Sequence, residues 1–388
     1  MTKNPNISMR SVRDVEVRGK RVVLRADLNE PISVDGTVTD IFRLERALMT
    51  IEYLSSCGAK IIIISHLGRN GNTLAPIAMA LAKITTIPIS FCAEPFNDEN
   101  CRNAVATLRN GECILLENIR RESGEDANDS EFAEQIALYG DVFVNDAFAD
   151  SHRAHASIVG VTEFLPSYAG LLMEEEVRNL SQAVTPPANS IAILGGAKWE
   201  TKLQLIRALL ERYSLVCIGG ALANDLLRAR GYAVGISVIS NFVLPEDLVH
   251  NENLIAPVDL LVTSSRGERQ CDVKDVSENE RIVDIGKQTV KVWGESITQA
   301  PFVVWNGPLG IYEGGHVEGT QGIAKALELA KGNSVIGGGD TLAAIRAIGF
   351  KSYDHSNIFL STGGGAMLQF IADGTLPGIE PLCVIGRP

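Results

Sequence analysis

The sequence predicts an α/β protein made of two doubly wound, Rossmann-like lobes of parallel sheet joined by a helix. Short apolar runs of strand length alternate with helical periodicity along almost the whole chain, the pattern of parallel sheets covered by helices. In the first half each strand run ends in polar residues and not in a hairpin turn. In mid-chain, Tyr168–Ala183 is apolar at Leu171, Leu172, Val177 and Leu180, reads as one helix, and is stopped by the prolines of TPPAN. The 388 residues are enough for two cores, so residues 1–168 are expected to form one lobe and residues 185–374 the other, with residues 169–184 as the joining helix.

In chain order, the first lobe is expected to hold strands at Arg21–Asp27, Lys60–Ser65, Ile87–Phe91, Cys113–Leu116 and Asp141–Asn145. Between them, longer amphipathic stretches predict helices at Phe42–Ser56, Pro76–Ile84 and Ser130–Tyr139. In the second lobe the strands are expected at Ile191–Leu194, Leu215–Ile218, Leu260–Thr263, Arg281–Ile285, Phe302–Trp305, Ser334–Ile336 and Ile358–Leu360. Helices are expected there at Glu200–Arg212, Leu222–Arg230, Gly322–Ala330 and Leu342–Ile348.

A net charge of -12 argues against nucleic acid or an anionic membrane as the main partner, since both require a positive field. Seven cysteines, an odd number with no C-x-x-C pair, fit reduced thiols in a cytoplasmic protein better than a disulfide framework or a zinc site. No apolar run approaches the length of a membrane span, and no leader is read at the start.

Ligands of open parallel sheets bind beyond the carboxyl ends of the strands. In the first lobe that edge gathers Asp27, Asn29, His66, Arg69, Arg120, Asp146, His152, Arg153 and His155, with Arg25 inside the first strand and Arg43 opening the following helix. Arginine forks match carboxylate and phosphate geometry, so the set points to a small anion, against the alternative that each arginine pairs with a nearby acid. His155 reads as a packed residue. In the second lobe the edge gathers glycine turns: GGAK after the first strand, then GGALAN, NGPLGIYE, GGGDT and STGGGA. Backbone amides exposed in such turns suit a polyphosphate, although no G-x-x-x-x-G-K-[ST] loop is present. Lys198 and Lys202 stand beside the first turn. Asp340 sits inside another, where a carboxylate needs a cation between itself and phosphate, which points to Mg²⁺.

These residues fall into an ordered series that resembles the phosphoglycerate kinase family: LRADLNEP, SHLGR, LLENIR and DAFADSHRAHAS in the first half, then LGGAK, VVWNGPLG, GGGDT, STGGGA and LPG. The resemblance implies a kinase that transfers a phosphoryl group reversibly between 1,3-bisphosphoglycerate and ADP, giving 3-phosphoglycerate and ATP. It implies that residues 375–388 return to the first lobe, that the lobes close before reaction with the joining helix as part of the hinge, and that the protein is a monomer. Carried over, Asp27, Asn29, Arg43, His66, Arg69, Arg120 and Arg153 are the expected 3-phosphoglycerate contacts, and Arg43 with Lys198 the expected catalytic pair. Gly196, Lys198, Lys202, Gly220, Asn306, Glu313, Gly338, Gly339, Asp340 and Thr341 are the expected nucleotide contacts, with Asp340 the metal carboxylate. Against the family pattern, Glu30, Asn70, Trp199, Ala221 and Lys287 are departures, and Glu30 is expected to bring a second carboxylate near a trianionic substrate.

Overall fold

The computed structural model describes residues 7–68, 71–350 and 356–384. These divide into two compact units: one takes the residues up to Arg178 and those from Thr375 onward, the other Asn179–Gly374. The division falls inside helix Leu171–Val184.

In the first unit, β1 (Arg21–Arg25), β2 (Lys60–Ile64), β3 (Ile89–Cys92), β4 (Cys113–Leu116), β5 (Val142–Asn145) and β6 (Ser167–Ala169) form one parallel sheet in the order β3-β4-β2-β1-β5-β6. Successive strand residues point to opposite faces, and both faces are dry. Val22, Leu24, Ile61 and Ile63 pack with Leu44, Ile51 and Leu54 of helix Phe42–Ser56, while Val23, Ile62, Ile64 and Phe143 pack with Phe132 and Ile136 of helix Ser130–Ala137. That double burial is why these strands read as unbroken apolar runs.

In the second unit, β7 (Ile191–Leu194), β8 (Leu215–Ile218), β9 (Leu254–Ile255), β13 (Phe302–Asn306), β14 (Asn333–Gly337) and β15 (Ile358–Leu360) form a second parallel sheet, ordered β15-β14-β13-β7-β8-β9. Helices Trp199–Leu210, Gly220–Ala229, Glu318–Glu328 and Gly339–Arg346 follow its strands within about three residues of the expected starts and ends, except that Glu318 opens its helix four residues early.

Three expectations need correction. Leu260–Thr263 and Arg281–Ile285 do not join the parallel sheet; they lie in β10 (Asp259–Ser264) and β12 (Arg281–Ile285), and β10 pairs with both β11 (Gly267–Asp272) and β12 in a separate antiparallel sheet of order β11-β10-β12. A tight hairpin through Ser265–Arg266 joins β10 to β11. β11, GERQCD, is exposed at all but Cys271 and so carries no apolar pattern to read. Tyr168 belongs to β6, and the helix begins at Leu171. The break comes at Gly170, where any Cβ would lie 2.1 Å from Asp146 Oδ1. Helices Glu99–Ala106, Lys287–Gln299 and Gly365–Asp373 were not read from the sequence. Lys287–Gln299 starts after Gly286 and is capped from a distant strand, Asp259 Oδ1 accepting the Thr289 amide at 2.6 Å.

Candidate functional site

In the first unit β1 and β5 are neighbours, yet the chain visits β2, β3 and β4 on the far side of β1 between them. The winding therefore reverses at the crevice between their ends, where ligands of such sheets bind. The loop after β1 folds on itself, Asp27 Oδ1 accepting the Asn29 amide (3.2 Å) and Asn29 Oδ1 accepting the Gly68 amide (2.9 Å). Arg43, in the first turn of its helix, sets Nη1 3.1 Å from Asp27 Oδ2 and 3.0 Å from the Asn29 carbonyl oxygen.

After β2, His66 Nδ1 lies 3.1 Å from Asp150 Oδ2, and Arg25 Nη2 reaches the same oxygen at 3.1 Å. Arg120, after β4, donates to the Gly68 carbonyl (2.8 Å) and lies 3.9 Å from Asp150 Oδ1. Burial alone would raise the Asp150 carboxyl, but the charges of His66, Arg25 and Arg120 hold it far below the usual carboxylate range. Asp27, His66 and Asp150 each bring a ligand atom within 4.8 Å of the others. Arg25, Arg43 and Arg120 converge on Asp27 and Asp150, and Arg120 Nε also lies 3.9 Å from Asp126 Oδ1; forked guanidinium donors gathered in this way match the oxygens of an anion.

Arg25, Arg43 and Arg120 thus do pair with acids, as the plainer reading of the sequence had it, but they converge in doing so. Arg25 is fully buried and its Nε donates to Ser157 Oγ, so its part is internal. Arg153 is exposed beside the edge and donates from Nε to His152 Nε2 (3.2 Å), which leaves that nitrogen unprotonated. His155 is buried, with Nδ1 3.6 Å from Glu125. Asp146 turns away from the edge and caps helix Leu171–Val184 through the Met173 amide (3.1 Å). Arg69 and Asn70 lie outside the described residues. Glu30 does not face an incoming anion: its carboxylate is buried and accepts the backbone amide of Arg43. The residue that the sequence left unassigned is Asp150, the hub of His66, Arg25 and Arg120, whose only signal was its place in DAFADSHR.

In the second unit β7 and β13 are adjacent although the chain visits β8 and β9 between them, so the winding reverses there too. The turns that follow these strands interlock. Gly195 donates to the Asn306 carbonyl (2.8 Å) and Gly196 to that of Pro308 (3.2 Å), and a Cβ on Gly195 would fall 2.1 Å from the Pro308 oxygen. Gly220, after β8, has φ +60° and donates to the Leu309 carbonyl, and a Cβ there would meet the Gly196 nitrogen at 2.7 Å. Only glycine allows three backbones this close.

Lys198, at the cap of helix Trp199–Leu210, has φ +71°, one of three described non-glycine residues with positive φ, and the other two are asparagines. Left-handed backbone costs a lysine about 1–3 kcal/mol and is typical of residues held for function. Its side chain is exposed, without hydrogen bond or ion pair among the described residues. Lys202 Nζ donates to the Gly195 carbonyl (2.8 Å), and burial lowers its amine to about 8. Trp199, beside Lys198, is fully buried and its Nε1 donates to the Leu222 carbonyl (3.0 Å), so its bulk ties the first turn to the helix after β8. Ala221 lies in that helix, and Lys287 opens helix Lys287–Gln299.

After β14, Gly338 stands where a Cβ would meet Thr341 Oγ1 at 3.3 Å and Asn306 Nδ2 at 3.4 Å. The Thr341 hydroxyl is fully buried and, among the described residues, makes no hydrogen bond, which costs free energy unless a ligand supplies the partner. Gly339 faces open space, and Asp340 is exposed in the first turn of helix Gly339–Arg346. Glu313 is exposed in the short turn Tyr312–Gly314, and no described contact joins it to the other candidates. A hard cation takes one or two carboxylates together with phosphate oxygens, so the exposed Asp340 among glycine amides fits a magnesium–nucleotide complex.

The sequence matches the family described as phosphoglycerate kinase over residues 12–374. It is 40% identical over 399 residues to the phosphoglycerate kinase of Coprothermobacter proteolyticus, covering 98% of this chain and 100% of that one, and 38% identical to that of Clostridium perfringens, covering 97% and 99%. Among solved structures it is similar to phosphoglycerate kinase from Pyrococcus horikoshii OT3 (TM-score 0.84, 30% identity) and from Coxiella burnetii (TM-score 0.79, 33% identity), each covering 96% of this chain and 98% of the other.

Proposed function

The chain belongs to the phosphoglycerate kinase family, enzymes that transfer a phosphoryl group to a carboxyl group, and from that premise we propose how its own residues perform the transfer. The substrates are 3-phosphoglycerate and MgATP in one direction and 1,3-bisphosphoglycerate and MgADP in the other, as in glycolysis, in the cytoplasm, on a monomer. Its seven cysteines are unpaired, and no described helix is long and apolar enough to cross a membrane.

The observation that carries the reading is the contrast between two sheet edges: one where the guanidinium groups of Arg25, Arg43 and Arg120 converge on Asp27 and Asp150, the other with interlocked glycine turns and two lysines. Asp27, Asn29, Arg43, His66, Arg69, Arg120 and Arg153 hold the acid. Gly196, Lys202, Gly220, Asn306, Gly338, Gly339 and Thr341 hold the nucleotide phosphates, Glu313 the ribose, and Asp340 the magnesium that accompanies them.

In the ATP-consuming direction a carboxylate oxygen of 3-phosphoglycerate attacks the γ-phosphorus, a new O–P bond forms, and the bond to the β-phosphate oxygen breaks to release ADP. A carboxylate is ionised at neutral pH, so no general base is needed. Catalysis rests on alignment and on Arg43 and Lys198 facing the charge of the moving phosphoryl group, while magnesium, when bound with the nucleotide, neutralises phosphate oxygens. A coupled assay with 3-phosphoglycerate, ATP and Mg²⁺ tests this: Lys198→Ala and Arg43→Ala are each expected to lower the rate by roughly 10² to 10⁵, as losses of comparable cationic groups do. Near-normal turnover in either variant removes that residue from the role, and no turnover in folded wild-type protein overturns the reading.

A further inference from the structure

We propose, resting on the reading above, that Glu30 is a positioning residue for Arg43: its carboxyl group takes the place of a missing helix cap and thereby sets the guanidinium that meets 3-phosphoglycerate. Helix Phe42–Ser56 begins after Ile41, a side chain with no acceptor, and has no side-chain cap of its own. The first amides of a helix have no partner within it. Asp40 Oδ1 accepts the Phe42 amide at 3.0 Å, and Glu30 Oε1, reaching back from 13 residues earlier, accepts the next one, that of Arg43, at 2.5 Å.

Arg43 is therefore gripped at both ends by adjacent residues. Its guanidinium is bound to the Asn29 carbonyl oxygen, and its backbone to the Glu30 side chain. The loop between closes on itself, the Thr39 amide donating to the Pro31 carbonyl (3.0 Å) and Ile32 bridging Val38, so Glu30 is carried to the helix start by a short rigid arm. Glu30 is only 6% exposed. Burial pushes its carboxyl up to about 7, the Arg43 amide pulling the other way and Asp40 and Asp27 adding to the rise. The Arg43 amide can donate a hydrogen bond to an oxygen of either the neutral or the ionised carboxyl, so what the site requires is the acceptor oxygen more than the charge.

Calorimetric binding of 3-phosphoglycerate, with steady-state kinetics beside it, tests the assignment on four full-length proteins. Glu30→Val removes the acceptor and should weaken 3-phosphoglycerate binding about five- to tenfold, the loss of one cap read as an equilibrium constant, while the KM for ATP stays as it was. Glu30→Gln keeps the acceptor and should bind within about twofold of wild type. Ile41→Asp introduced into the Glu30→Val protein supplies a cap at the ordinary position and should recover the binding. Wild-type affinity in Glu30→Val, equal losses for acid and ATP, or no recovery on Ile41→Asp would overturn the assignment. Wild-type protein that binds no 3-phosphoglycerate would instead overturn the function on which it rests.

Discussion

Gly195→Ala is the sharpest test of the interlocked turns. The added methyl would sit 2.1 Å from the Pro308 carbonyl oxygen and 2.6 Å from that of Gly307, where an ordinary contact is 3.4–4 Å. Both obstacles are backbone, so no rotamer change relieves them. The turns after β7 and β13 must part by about 1 Å or more, and a displacement of that size at a reacting centre costs about 10²-fold. The same movement lengthens the Gly195–Asn306 and Gly196–Pro308 hydrogen bonds, now 2.8 and 3.2 Å. Steady-state kinetics with varied MgATP should show kcat/KM for the nucleotide falling about 10²-fold, while calorimetric binding of 3-phosphoglycerate is unchanged. Wild-type nucleotide kinetics in a folded Gly195→Ala protein would show that the turns have slack and refute the argument from close approach.

Lys202 carries a pH signature. Its amine is lowered to about 8 by burial, so it is protonated at neutral pH and loses its charge as pH rises through that value. If the charge meets a phosphate, nucleotide affinity measured by calorimetry should be level below pH 8 and fall above it, approaching tenfold per pH unit, and Lys202→Arg should flatten the fall. Asp150→Asn leaves the buried Arg25 without its carboxylate partner, for which a loss of about 3–5 kcal/mol in urea unfolding of the first unit is expected. Because the Asp150 pKa is depressed in the folded protein, its contribution is present above about pH 4, the unfolded value, and is lost as pH falls below it. Wild type should therefore lose stability on acidification more steeply than the Asn variant.

The parallel strands were legible because both faces of each are buried. KIIII and CILL carry their signal within four or five residues, and the stretch Phe42–Ser56 carries its own helical period, so local composition alone places them. The gathering of arginines at one sheet edge and of glycine turns at the other was legible for a related reason: strand ends in a doubly wound sheet converge, so residues at successive strand ends meet at one edge without any knowledge of distances. β11 was hidden because a strand of polar residues exposed at all but Cys271 has no apolar run to read.

What the tertiary structure decided is mostly who satisfies whom. Sequence places a carboxylate at Glu30 near the expected anion, but folding turns it onto the Arg43 amide. It places Asp146 at the ligand edge, but folding spends that side chain on the Met173 amide. Asp259 likewise starts a helix 30 residues away, at Thr289. A backbone amide at a helix end must find an acceptor, and any acidic side chain within reach answers it; which one is near enough is fixed only when segments far apart in sequence are packed together. Residue types and their order along the chain therefore determine the two sheets and the chemistry offered at their edges. Which charged groups remain free for a ligand, and which become internal struts, is settled by burial and by distances that the folded backbone alone creates.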